Sequence, residues 1–92
     1  MLDKQSRQKL REEKRRKRFI NSIVYSAKIH IRKSYYDFGK KAVIVPCKGE
    51  KEWIKIKENI NEINEILAEE KIRIELENYQ LRPWEFRIVL ES

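Results

Sequence analysis

The chain has one cysteine, one histidine, two glycines and two prolines among its 92 residues. The single thiol, Cys47, cannot close an internal disulfide, and a chain this short without paired cysteines fits a reducing, intracellular setting. Cys47 reads as a small apolar residue at a strand end. Two glycines leave no Gly-rich phosphate loop, and one histidine leaves no His, Cys, Asp and Glu cluster at metal-ligand spacing. No Ser or Cys has a base placed beside it. The expectation is therefore no cofactor, no metal and no enzyme, with His30 suited to a phosphate contact or plain exposure rather than to general-base work.

Long apolar runs are missing as well. Nothing approaches the roughly 18 residues needed to cross a bilayer, and the N-terminus is charged where a secretory signal carries its apolar segment. Ninety-two residues make one domain, 1–92, which buries only about 60 to 70% of its unfolded surface. A deep enclosed active site is not expected.

Charge is what the chain has in abundance: 22 Lys and Arg against 15 Asp and Glu, a net +7. Residues 1–46 hold 14 of the cations and 4 of the acids, and residues 47–92 hold 8 and 11. The asymmetry speaks of partners, not of fold.

Two stretches share letters. Aligning 19–36 with 62–79 pairs Ile20 with Ile63, Asn21 with Asn64, Ile23 with Ile66, Lys28 with Lys71, Ile29 with Ile72, Ile31 with Ile74 and Tyr36 with Tyr79. An offset of this size falls within the range of repeated structural units. In the second copy Trp53, Ile56, Ile60, Ile63 and Leu67, widened by Ile66, give an amphipathic helix over 50–70. Ile72, Ile74 and Leu76 then alternate with charges as a half-buried strand, 80–83 forms a turn, and Trp84, Phe86, Ile88 and Leu90 return as a second strand.

In the first copy Ile20, Val24, Ala27 and Ile31 suit one long helix, whereas Ala27, Ile29 and Ile31 suit a strand. The repeat favours the strand. It gives a helix over 3–26, a strand over 27–36, a turn at 37–40 around Gly39, and a short strand over 42–45 that ends at Pro46. The predicted fold is α+β: a duplicated αββ unit, αββαββ, with a four-stranded antiparallel sheet, helices on one face and a protruding basic N-terminal helix. The parts are a basic arm over 1–18, a first repeat core over 19–46 and a second repeat over 47–92.

The alternative is a winged helix, in which a long first helix reaches Phe38, 42–45 is a single strand, 50–70 breaks into two helices and the last hairpin is the wing. Its recognition helix would carry Glu58, Glu62, Glu65, Glu69 and Glu70, the wrong sign for a groove lined by phosphate. The αββαββ order resembles one module of the LAGLIDADG homing endonucleases in topology alone. The helices here end near YSAK and LAEEK, without that family's metal-binding acid, so the resemblance implies no nuclease activity.

The copies differ in charge. Upstream of the first lies KQSRQKLREEKRRKR, residues 4–18, with Lys4, Arg7, Arg11, Lys14, Arg15, Arg16, Lys17 and Arg18; Arg7, Arg11, Lys14, Arg15 and Arg18 share a helical face. With a core to face only in its last two turns, this arm is not expected to be held by packing. In a nucleated cell KRRKR could also serve as a nuclear localisation signal. The first strand and turn offer Lys28, His30, Arg32, Lys33, Tyr36, Lys40 and Lys41, against Lys71, Arg73, Glu75 and Glu77 in the second copy. Tyr35 and Tyr36, adjacent on a strand, would face opposite ways and only one would be exposed.

The leading expectation is a small nucleic-acid-binding protein that contacts the phosphates of DNA or RNA through this helix and hairpin. The other is a protein-interaction or inhibitory module in a nucleoprotein complex, using sheet edges or Trp84 beside Pro83, with Trp53 and Trp84 otherwise in the core. No membrane partner is expected; sheet edges and the repeat make a homodimer possible.

Overall fold

A computed structural model of the chain describes residues 4–76 and 84–91, and of residues 4 and 5 the backbone alone. The elements are α1 (Lys4–Phe38), β1 (Ala42–Pro46), α2 (Glu50–Glu58), α3 (Ile60–Leu67), a 3-10 turn (Ala68–Glu70), β2 (Ile72–Leu76) and β3 (Glu85–Leu90). One antiparallel sheet has the order β1-β3-β2. The fold is α+β, with a long N-terminal helix and three strands where the duplicated unit required four.

The difference lies in residues 27–36, which are helical. Ile20, Val24, Ala27, Ile31 and Ser34 follow one another at steps of three and four, with Ile23 widening the stripe, and all are buried. A strand would have put Ile29 in the core beside Ile31. Instead Ile29 is 44% exposed and Ile31 1%. No glycine or proline interrupts this period before Gly39, where φ is 65, a left-handed conformation that glycine adopts without strain. The Gly39 amide donates to the Tyr35 carbonyl at 2.8 Å and the Lys40 amide to the Ser34 carbonyl at 3.2 Å, closing the helix end. At about 1.5 Å per residue, 35 residues span about 52 Å. The molecule's longest extent is 54 Å.

The matching letters of the second stretch fold otherwise: Ile72 and Ile74 belong to a strand, as expected. Here the apolar stripe stops at Leu67, and Glu69 and Glu70 stand where a helix C-terminus favours cations. Lys71 takes φ 60 and its amide bonds to the Ala68 carbonyl, turning the chain into β2. The predicted single helix over 50–70 is broken at Asn59. Its amide bonds to Ile56 and Lys55 carbonyls, its side-chain Nδ2 to the Lys55 carbonyl at 2.8 Å, and its own carbonyl accepts from Ile63. Such local bonding by asparagine competes with a continuous helix.

With 27–36 helical, β1 has no neighbouring hairpin and pairs with β3, Val43 opposite Ile88 and Val45 opposite Phe86. β2 pairs with the other side of β3, Ile74 opposite Ile88. Thus Ile72, Ile74, Phe86 and Ile88 face α1 and α3, where they meet Ile56, Ile63 and Leu67 in one core. The turn expected at 80–83, Tyr79, Glu77 and Pro83 lie outside the described residues. Trp53 and Trp84, expected in the core, instead stack edge to face at 5.6 Å, half-buried and outside the main cluster.

The two sheet edges are unlike. The Asn64 side chain seals β2: Nδ2 donates to the Ile74 carbonyl at 3.1 Å, and Oδ1 accepts from the Ile74 amide at 2.7 Å. Leu90 bonds to the Lys41 carbonyl and Cys47 to the Trp84 carbonyl, so odd-numbered residues of β1 face β3. The register therefore turns the peptide groups of Ala42 and Ile44 outward. Pro46, next in that row, has no N–H and limits the open edge to two residues.

The helix and strand readings of residues 27–36 differ in a measurable way. Ile31→Ala should cost about 2 to 5 kcal/mol in urea unfolding, and Ile29→Ala under about 1 kcal/mol. Equal losses would restore the strand.

Candidate nucleic-acid interface

The arm is the free half of α1. From Arg7 to Arg18 every side chain except Arg16 is exposed, because the first buried position of the helix is Ile20. At 3.6 residues per turn Arg7, Arg11, Lys14 and Arg18 fall on one face with Arg15 beside them, diametrically across the helix from the core stripe. Lys17 is turned about 100° away from Arg18. Among the described residues none of these six makes an ion pair. Lys4 is the first residue of the helix, and its side chain lies outside the described residues.

Three predicted contact residues are already engaged. The Arg16 guanidinium bonds to Glu13 on its own helix, Nη2 to Oε1 at 2.6 Å and Nε to Oε2 at 3.1 Å, and also to Glu62 of α3. Glu13's pKa is lowered, first by that hydrogen bond, and Arg16's is raised by Glu13 and then Glu62. This clamp fastens the arm's inner end, which sequence reasoning left without an anchor. Lys28 meets Glu70 at 2.9 Å and Arg32 meets the same carboxylate at 2.5 Å. These cations face the acids of α3 and the 3-10 turn, where phosphate would meet repulsion.

The hairpin predicted to carry the other contacts does not form, so its residues spread around α1. His30 bonds through Nδ1 to the Ser26 carbonyl at 2.7 Å and remains exposed. Lys33 and Lys40 are exposed beside β1, and Lys41 leads into it with an interaction of its own. Tyr35 and Tyr36 are both exposed, because helical neighbours stand about 100° apart rather than on opposite faces. Tyr36 is 84% exposed and its ring meets that of Tyr35 edge to face at 6.2 Å.

Sequence reasoning missed the neighbouring Phe38, 73% exposed with the Lys40 Nζ 6.0 Å from its ring centre. Phe38 continues the buried stripe at a step of four from Ser34, but it lies beyond the core and is left exposed. Between the end of α1 and β1 runs a groove of about 530 Å³, lined by His30, Lys33, Phe38, Lys40, Ile44 and Arg87. Its floor is apolar and its rim cationic.

Elsewhere the chemistry is sparse. Among the described residues no group of three or more His, Cys, Asp or Glu could hold a metal ion. Cys47 is half-buried, and burial, with smaller help from Glu52 and Glu85, pushes its thiol up to about 11. Among the described residues no helix is long and apolar enough to cross a membrane. Compared with protein-family models, curated proteins and solved structures, the chain matches none.

Two measurements follow from these groups. Lys28, and then Arg32, hold the Glu70 carboxyl below the usual carboxylate range. Stability from this cluster is complete above the ordinary carboxyl pKa and is lost as pH falls through the depressed folded value. Glu70→Gln should flatten the fall of Tm below about pH 5, and a fall as steep as in the wild type would refute the cluster's role. The Cys47 thiol at about 11 predicts slow alkylation by iodoacetamide at pH 7 to 8, with the rate rising about tenfold per pH unit until about pH 11. A rate that levels off near pH 8 would mean an unperturbed thiol.

Proposed function

We propose that this chain is a small, non-enzymatic nucleic-acid-binding protein in which the outer face of α1 lies along a phosphate backbone. The observation that carries the reading is the row Arg7, Arg11, Lys14 and Arg18, exposed and without ion pairs among the described residues, on a helix whose inner cations are matched by acids. Four cations on a face about 17 Å long suit the spacing of phosphates, since duplex DNA carries one negative charge per about 1.7 Å of axis. Contacts of this kind give affinity and orientation but carry no base information.

The order α1-β1-α2-α3-β2-β3, with β3 central, supports a winged-helix reading of the fold. In that arrangement α3 would be the element placed in a major groove. Its Glu62 and Glu65, followed by Glu69 and Glu70 and no cation, argue against that use. Binding through α1 avoids the conflict. The open edge of β1 supports the second reading, a protein-interaction module that adds a strand there.

The test is a salt series with duplex DNA, single-stranded DNA and structured RNA. The full chain should show a log-log slope of several units, and replacing Arg7, Arg11, Lys14 and Arg18 with alanine should reduce it on duplex DNA by about 0.9 for each phosphate no longer neutralised. These side chains are exposed, so the fold should survive. Absence of binding at low salt, or a slope that the four replacements leave unchanged, would refute the arm as a binding surface. Binding to a protein that ignores salt and depends on Ile44 would favour the strand-addition reading.

A further inference from the structure

We infer that the groove between α1 and β1 seats an unpaired nucleotide, so that the chain prefers single-stranded nucleic acid to duplex; this rests on the proposed nucleic-acid reading. The groove combines three features that an unpaired nucleotide can use together, whereas a duplex backbone could use only its cations. Phe38 and Ile44 give a flat apolar surface, at 73% and 49% exposure, for a base to stack against. Lys33 and Lys40 stand on the rim as phosphate donors. The outward peptide groups of Ala42 and Ile44 offer an N–H and a C=O each to a base edge.

Exposure of aromatics strengthens the case. Phe38, Tyr36, Tyr35 and Tyr25 are all exposed on one helix, although aromatic side chains ordinarily supply the largest burial in a fold. An apolar partner is a poor match for them, because Lys33, Lys40 and His30 would lose their hydration in such an interface. A polyanion with flat apolar faces satisfies both the rings and the cations. Bases stacked inside a duplex present only their edges, so they cannot enter the groove; an unpaired base can. Phe38 lies about 30 Å along the helix axis and about 160° around it from Arg18, so a strand that touches both groove and arm must wrap around α1.

Binding is measured by fluorescence anisotropy with oligo-dT and oligo-U of about twenty nucleotides and with a duplex of equal length, each base–aromatic stack contributing about 1 to 3 kcal/mol. The chains compared are wild type, the double variant Phe38→Ala/Lys40→Ala, and the arm variant with Arg7, Arg11, Lys14 and Arg18 changed to alanine. Wild type should bind single strands at least about tenfold more tightly than duplex, and the groove variant should lose about tenfold or more on single strands while keeping its duplex affinity. Photocrosslinking with 5-iodouridine oligonucleotides should place adducts at Phe38. Equal affinity for duplex and single strands, or a groove variant that weakens both alike, overturns the groove while leaving the arm reading intact. Adducts confined to residues far from the groove overturn it too. If the arm variant binds as wild type does, or wild type binds none of the three, the underlying reading fails. A matching melting curve for the groove variant excludes unfolding as the cause.

Discussion

The stripe of Ile20, Val24, Ala27 and Ile31 fixes everything else in this molecule. Ala27 is fully buried, Ile20 and Ile31 nearly so, and through this stripe α1 packs against α3 and all three strands. Each buried isoleucine contributes about 1.5 to 3 kcal/mol by leaving water. These contacts hold only the second half of α1. Helix propagation then carries order outward from the packed half, since each added residue gains a backbone hydrogen bond without a new nucleus. The basic arm is thus the continuation of a buried helix, and its direction is set by the core.

Electrostatics then sorts the cations into two sets. Glu62 takes Arg16, and Glu70 takes Lys28 and Arg32, so the side of α1 that faces α3 is locally neutralised. Ion pairs this exposed contribute little, too little to hold the fold together. Their larger effect is on distribution of charge. They leave the opposite face of α1 as the concentrated positive surface, and they make α3 the surface that a polyanion avoids. A polyanion approaching this chain is therefore directed to one side of one helix.

Much of the second half was legible because its periods are clean. Ile72 and Ile74 alternate with charges and form β2; Phe86 and Ile88 do the same in β3; Trp53 to Leu67 keep helical steps apart from the break at Asn59. The first half misled because identity of letters outweighed period. KIHI lies within a stripe that runs unbroken to Ser34, while KIRI follows two acids at a helix end, so neighbours rather than the shared residues decide between helix and strand. The arm was visible as a run of charge. Which of its cations are already paired was not, because their partners stand 46 and 38 residues away in the chain. Exposure of Phe38 was not legible either, because the helical period places it on the stripe that is buried as far as Ser34.

Loss of the repeat also changes what kind of recognition the chain can support. Two equivalent hairpins would have offered a symmetric surface, and with it a reason to expect paired sites. Asn64 takes both peptide groups of Ile74 in β2, Pro46 shortens the open row of β1, and the open part of β1 adjoins the end of α1. Phosphate contacts along the arm hold a strand without regard to its sequence. Any discrimination must then come from shape, and the corner between β1 and the end of α1 supplies it: a concave surface with exposed rings accepts bases that have left the stack and excludes those that have not. In the proposed reading affinity comes from the arm and selectivity from the corner, and both depend on α1 remaining a single helix from Lys4 to Phe38.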